Sequence, residues 1–91
     1  VVVEELNTGK MKTLKCDGVF IFAGTQPNLE LFNGDFSLDQ WGYVETDEDM
    51  HSSIPDVFVV GDIRSKKFRQ ITTAVSDGTI AAMAIAKELE L

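Results

Sequence analysis

Cysteine is almost missing from this chain of 91 residues. The single Cys16 excludes an internal disulfide, a multi-cysteine metal site and redox chemistry by a cysteine pair within these residues. With no second cysteine or nearby histidine to activate it, Cys16 reads as a small apolar strand residue. Histidine is equally scarce: His51 is the only one. It sits in a polar turn with no second ligand near it in sequence, and it reads as a solvated residue rather than a catalytic base. Positive charge is also in short supply, with 8 Lys and Arg against 15 Asp and Glu and a net charge of −7. That balance argues against nucleic acid as a partner, because a phosphate backbone needs a basic patch. The one basic cluster, Arg64, Lys66, Lys67 and Arg69, reads as facing a small anionic ligand. No apolar run approaches 18 residues, and no basic segment precedes an apolar one at the amino terminus. Neither a membrane span nor a signal peptide is read, and the expected location is cytoplasmic. Internal repeats and low-complexity segments are absent too.

What is present is ordinary globular composition, 44% apolar and 25% charged, with length for one small domain and a modest core. The chain opens without an initiating Met on Val1-Val2-Val3, in what reads as mid-strand, so a piece of a longer polypeptide is expected. Val1 to Leu6 and Met11 to Lys15 flank the turn signal Asn7-Thr8-Gly9-Lys10, which predicts a β-hairpin with Gly9 at positive φ. Val19-Phe20-Ile21-Phe22-Ala23 is the most apolar run and reads as a central strand buried on both faces. Pro27 forces Gln26 out of the helical region, and Asn28 is suited to cap a short helical turn over residues 29–32 before Asn33-Gly34 ends it. Trp41 to Thr46 alternates as an exposed or edge strand, with Trp41 and Tyr43 packing or rimming an interface. The acidic Asp47-Glu48-Asp49 reads as a solvated turn. The division expected is 1–23 for hairpin and strand, 24–53 for connector and edge strand, and 54–91 for strand, Gly-Asp motif and helix.

The last third carries the chemistry. Val57 to Val60 is too short for a helix and reads as a buried parallel strand, which places Gly61 and Asp62 at its carboxyl end. Ligands of open α/β sheets bind at that end. Gly61 lets a ligand approach the backbone without a Cβ in the way, and the Asp62 carboxylate accepts hydrogen bonds from sugar-type hydroxyls. From Ile71 onward apolar positions recur at 71, 75, 78, 82, 85 and 89, one stripe of a helix and the expected core face. Ala74, Gly78 and Ala82 lie near that stripe, where small side chains permit close approach to a sheet or a planar ligand. Arg69-Gln70 precedes the helix, so the amides of Ile71, Thr72 and Thr73 point out of its positive end. Such an end stabilises the negative charge that gathers on a reduced flavin ring.

These residues carry a resemblance. Cys16-Asp17-Gly18-Val19-Phe20-Ile21-Phe22-Ala23-Gly24 with Pro27-Asn28, then Gly42-Tyr43-Val44, then Ser53 to Asp62, then Arg69-Gln70 and a helix, is similar in motif and order to the carboxyl-terminal part of low-molecular-weight thioredoxin reductases. These belong to the two-dinucleotide-binding-domain flavoproteins, class II of the pyridine nucleotide-disulfide oxidoreductases. The resemblance implies an α/β fold, part of an FAD domain with a β-hairpin, buried strands and a carboxyl-terminal helix. It implies that Asp62 binds the FAD ribityl chain, that Gly61 and Ile63 pass close to it, and that Arg69, Gln70 and the Ile71 amide hold the flavin. It further implies NADPH bound by a part not present here, a thioredoxin-like partner, and a homodimer. Asp56 stands where the family usually has Gly, but Asp tolerates left-handed backbone and keeps the turn. Val59-Val60 replaces smaller residues beside the Gly-Asp pair. The Gly-x-Gly-x-x-Gly that holds the FAD pyrophosphate, the NADPH-binding domain and a Cys-x-x-Cys pair are not among these residues, so the 91 residues alone are expected to be inactive. Two other readings stay open: a ferredoxin- or flavodoxin-NADP reductase of the same build, and a non-catalytic, self-associating module without cofactor.

Overall fold

The structure, a computed structural model, describes residues 1–30 and 34–90. Among the described residues four elements follow one another: strand β1 (Val2–Glu4), strand β2 (Met11–Thr13), a 3₁₀ turn (Gly61–Ile63) and the long helix α1 (Ile71–Glu88). A compact chain of this length has a radius of gyration of about 12 Å. The observed value is 19.6 Å, with extents of 64 × 26 × 23 Å, so these residues spread over an elongated frame. The α/β character expected from sequence is present, distributed between a hairpin and a small packed unit around α1.

The hairpin forms as its turn signal requires. β1 and β2 pair antiparallel with Val2 opposite Thr13, Val3 opposite Lys12 and Glu4 opposite Met11. Gly9 adopts φ 71°, and its N–H donates to the Glu5 carbonyl at 2.8 Å. A side chain at that φ would be strained, which is why glycine closes this turn.

The run Val19–Phe22 departs from expectation. It belongs to no strand, and its residues are 58 to 89% exposed. A strand is stabilised by neighbours that pair its backbone and cover its faces, and among the described residues none pairs with this run. Among the described residues Phe20 and Phe22 stack on each other, with ring centroids 6.2 Å apart. The helical turn expected over residues 29–32 falls partly on residues outside those described.

The packed unit is built around Val44, 1% exposed. Val44 bridges antiparallel to Leu38 and parallel to Arg64; its N–H donates to Ile63 O at 2.9 Å and its carbonyl accepts from Ser65 N at 2.7 Å. The edge strand expected over Trp41 to Thr46 is thus reduced to this double bridge. The core is Tyr43, Val44, Met50, Val59 and Ala81. The buried parallel strand expected over Val57 to Val60 is not formed: its one bridge is antiparallel, Phe58 to His51, and of the four only Val59 is buried. Asp56 takes φ 63°, the left-handed conformation its substitution for Gly requires.

α1 begins and ends close to the sequence expectation, yet it is rotated from the expected face. Ile71, Val75 and Leu89 are 85%, 64% and 64% exposed, while Asp77 and Ala81 are buried. The only named element that α1 packs against is the 3₁₀ turn, and an ion pair at Asp77 sets the rotation. Gly78 has open space where a Cβ would stand, and nothing in these residues requires glycine there.

Candidate functional site at the Gly61 turn

The chain reaches this site through Val60, extended at φ −132° and ψ 159°, and then turns. Gly61 has φ 81°, a value open to glycine and costly to other residues. It starts the 3₁₀ turn that Arg64 N closes on Gly61 O at 3.1 Å. A Cβ built on Gly61 would meet only the Ala74 Cβ, at 3.8 Å. The backbone angle, not crowding, therefore sets the identity of this residue, and Ala74 brings the first turns of α1 against it.

Asp77 locks this arrangement. Its Oδ2 accepts from the Gly61 N–H at 3.0 Å, from Arg64 Nε at 3.0 Å and from Lys66 Nζ at 2.8 Å, and its Oδ1 accepts from Arg64 Nη2 at 3.0 Å. The Arg64 fork is bidentate, the stronger geometry for a guanidinium-carboxylate pair. These bonds, Arg64's first, outweigh burial and hold the Asp77 carboxyl well below the usual carboxylate range. Arg64 Nη1 continues to Thr46 Oγ1 at 3.2 Å. The small anionic ligand expected to face the basic cluster is in part internal: Arg64 and Lys66 answer Asp77.

Arg69 joins the turn to the start of α1. Its Nε donates to Asp62 O at 2.9 Å, one Nη donates to Arg64 O at 3.0 Å, and its guanidinium lies 3.5 Å from the Tyr43 ring centroid. Tyr43, only 7% exposed, is held by its hydroxyl, 3.0 Å from Thr25 Oγ1. Gln70 is the N-cap, extended at φ −142°; its N–H donates to Thr73 Oγ1 at 3.0 Å. Its carbonyl accepts the first helical bond, from Ala74 N. The amides of Ile71 and Thr72 find no acceptor among the described residues, as expected for the first turn of a helix. The Asp62 carboxylate is exposed and likewise has no hydrogen-bond donor among the described residues.

Gly61, Asp62, Ile63, Arg69, Gln70 and Ile71 are therefore brought together, with Arg69 as the tie. Sequence reasoning missed Asp77. The signal was there: it is the only charged residue between Gln70 and Lys87, and a lone carboxylate on a helix beside a basic segment calls for a partner.

His51 is also more than a solvated residue. Nδ1 is 2.8 Å from Asp47 Oδ2, Nε2 hydrogen-bonds Glu88 Oε1, and the ring lies 4.6 Å from Phe58. The Glu88 bond, then the Asp47 bond, raises its pKa above 6.5. A raised pKa stabilises the fold fully below the ordinary value, and that contribution fades as pH rises through the folded-state value. Thermal melts from pH 6 to 9 are expected to fall more steeply for the natural chain than for His51→Gln. Parallel curves for the two would contradict the clasp.

Known proteins are similar to this chain in sequence and in fold. The profile of the family described as Pyridine nucleotide-disulphide oxidoreductase matches residues 2–78. The chain is 52% identical over 83 residues to a 34.2 kDa protein in the rubredoxin operon of Clostridium pasteurianum, covering 91% of this chain and 27% of that one. It is 41% identical over 90 residues to the thioredoxin reductase of Treponema pallidum, covering 99% and 29%. A crystal structure of Lactococcus lactis thioredoxin reductase in its FR conformation is similar at a TM-score of 0.78 and 40% identity, over 99% of this chain and 30% of that one. The chain thus spans less than a third of the length of these relatives.

Proposed function

Because the chain belongs to the pyridine nucleotide-disulphide oxidoreductase family, we propose that it forms part of the FAD domain of a thioredoxin-reductase-like flavoprotein. Its share of that domain is the surface that holds the cofactor's ribityl chain and flavin ring. The observation that supports this most is the Asp62 carboxylate, exposed and without a donor, set on a rigid turn beside a glycine and tied through its own carbonyl to the helix start.

The residues fit the group. An unpaired carboxylate suits a polyol, whose hydroxyls each donate to it. Gly61 is itself buried and gives its N–H to Asp77, so it serves the site by turning the chain at positive φ rather than by lying open to a ligand. The Ile71 and Thr72 amides at the positive end of α1 favour negative charge at the pyrimidine edge of a reduced ring and need no reorganisation to do so. Arg69 holds turn and helix in register, and Gln70 sets the first turn. FAD, when bound, supplies the hydride and electron transfer that no side chain of these residues can perform.

The wider reading places this chain in an enzyme that draws on NADPH and delivers electrons to a disulfide of a thioredoxin-like protein. That enzyme is read as a cytoplasmic homodimer, and these 91 residues alone are inactive in it. Flavin fluorescence titration of the full-length protein tests the site. Asp62→Ala is expected to weaken FAD binding by about ten-fold or more, the loss of charge-assisted hydrogen bonds. Unchanged affinity in a folded Asp62→Ala protein would overturn the assignment.

A further inference from the structure

We propose that Asp77 is the positioning residue of this flavin surface: it touches no cofactor, but it fixes the Gly61–Ile63 turn and through it the aim of Asp62. The inference rests on the FAD reading above. A 3₁₀ turn of three residues has little to hold it rigid, since its single closing bond, Arg64 N to Gly61 O, is backbone alone. Asp77 adds anchors at both ends. At the start it accepts the Gly61 N–H, and at the finish it takes the Arg64 side chain in a two-pronged bond. Both anchors come from the middle of α1, so the turn is referenced to the same helix whose first amides face the ring.

Arg69 completes the frame from the other side by binding the carbonyls of Asp62 and Arg64. The backbone around Asp62 is therefore fixed at Gly61 N, Asp62 O and Arg64 O, while its carboxylate is left free. That combination, a fixed backbone and an unencumbered side chain, is what a ligand-aiming residue needs. Lys66 gives Asp77 a second cation, and with its side chain 6% exposed the carboxylate is sheltered from competing water.

The test uses the full-length protein with FAD and two variants. Asp77→Ala removes every anchor, while Asp77→Asn keeps an oxygen acceptor of the same shape for the Gly61 N–H. Two readouts separate positioning from simple stability: the FAD dissociation constant, and the hydrogen-exchange rate of the Gly61 amide with α1 verified intact by circular dichroism. Asp77→Ala is expected to weaken FAD about ten-fold and to speed Gly61 exchange by a similar factor, the scale of one lost buried hydrogen bond to a charge. Asp77→Asn is expected to restore most of both. Wild-type FAD affinity in Asp77→Ala would overturn the inference, as would an Asp77→Asn protein as weak as Asp77→Ala with Gly61 exchange unaltered. Absence of saturable FAD binding in the unmutated protein would instead sink the flavin reading itself.

Discussion

Asp77→Ala is expected to lower folding stability by about 3 kcal/mol, the largest effect of any single substitution considered. The reason is what the change leaves behind. Arg64 and Lys66, with side chains 17% and 7% exposed, would face each other without their shared counter-ion, and a buried charge stripped of its partner costs several kcal/mol. Removing a cation instead is gentler: Arg64→Ala leaves Asp77 with Lys66 and the Gly61 amide, and about 1–2 kcal/mol is expected. Urea unfolding followed at α1 by circular dichroism ranks the two. An Asp77→Ala loss below that of Arg64→Ala would contradict the network. Acid gives a second handle. Because the carboxyl's folded pKa is depressed, its stabilisation is complete above about pH 4 and is lost as pH falls further. Asp77→Asn is expected to flatten that acid limb.

Gly61→Val comes next, at about 1–3 kcal/mol, the range for a non-glycine residue held in an unfavourable backbone region. Sterics and strain make different forecasts here. A Cβ on residue 61 would meet Ala74 at an ordinary 3.8 Å, so crowding alone forecasts little effect for Gly61→Ala. The φ of 81° forecasts a cost for Ala already, and more for Val, whose branched Cβ tolerates that region least. Shrinking Ala74 to Gly separates them: in the strain account Ala74→Gly does not rescue Gly61→Val. Rescue to wild-type stability would show that contact, not backbone, selects glycine at this position.

Local chemistry was the legible part of this sequence. The hairpin could be read because Gly9 and its flanking β-branched residues decide it within a dozen positions. The span of α1 and the left-handed Asp56 followed from equally short-range rules. The turn at Gly61 is legible from its neighbours, a short apolar run before it and a helix start after it. The misreadings have a common cause in tertiary context. The apolar run at Val19–Phe22 has the composition of a buried strand, but burial needs covering layers, and no described residue supplies one. The apolar stripe of α1 gave the correct period and the wrong face, because the face that packs here is selected by Asp77 pairing with Arg64, thirteen positions away. A hydrophobic pattern is blind to such a pair. His51 was misjudged likewise, since its partner Glu88 lies 37 positions on and only the fold brings it near.

The central claim is that the Gly61 turn and the first turn of α1 together touch the flavin. Amide hydrogen exchange of the full-length protein with and without FAD addresses it residue by residue. The account predicts that protection on adding FAD concentrates at Gly61 to Ile63 and at the Ile71 and Thr72 amides, with the hairpin of Val2–Glu4 and Met11–Thr13 unchanged. Protection that spares both turns while FAD binds elsewhere would contradict it.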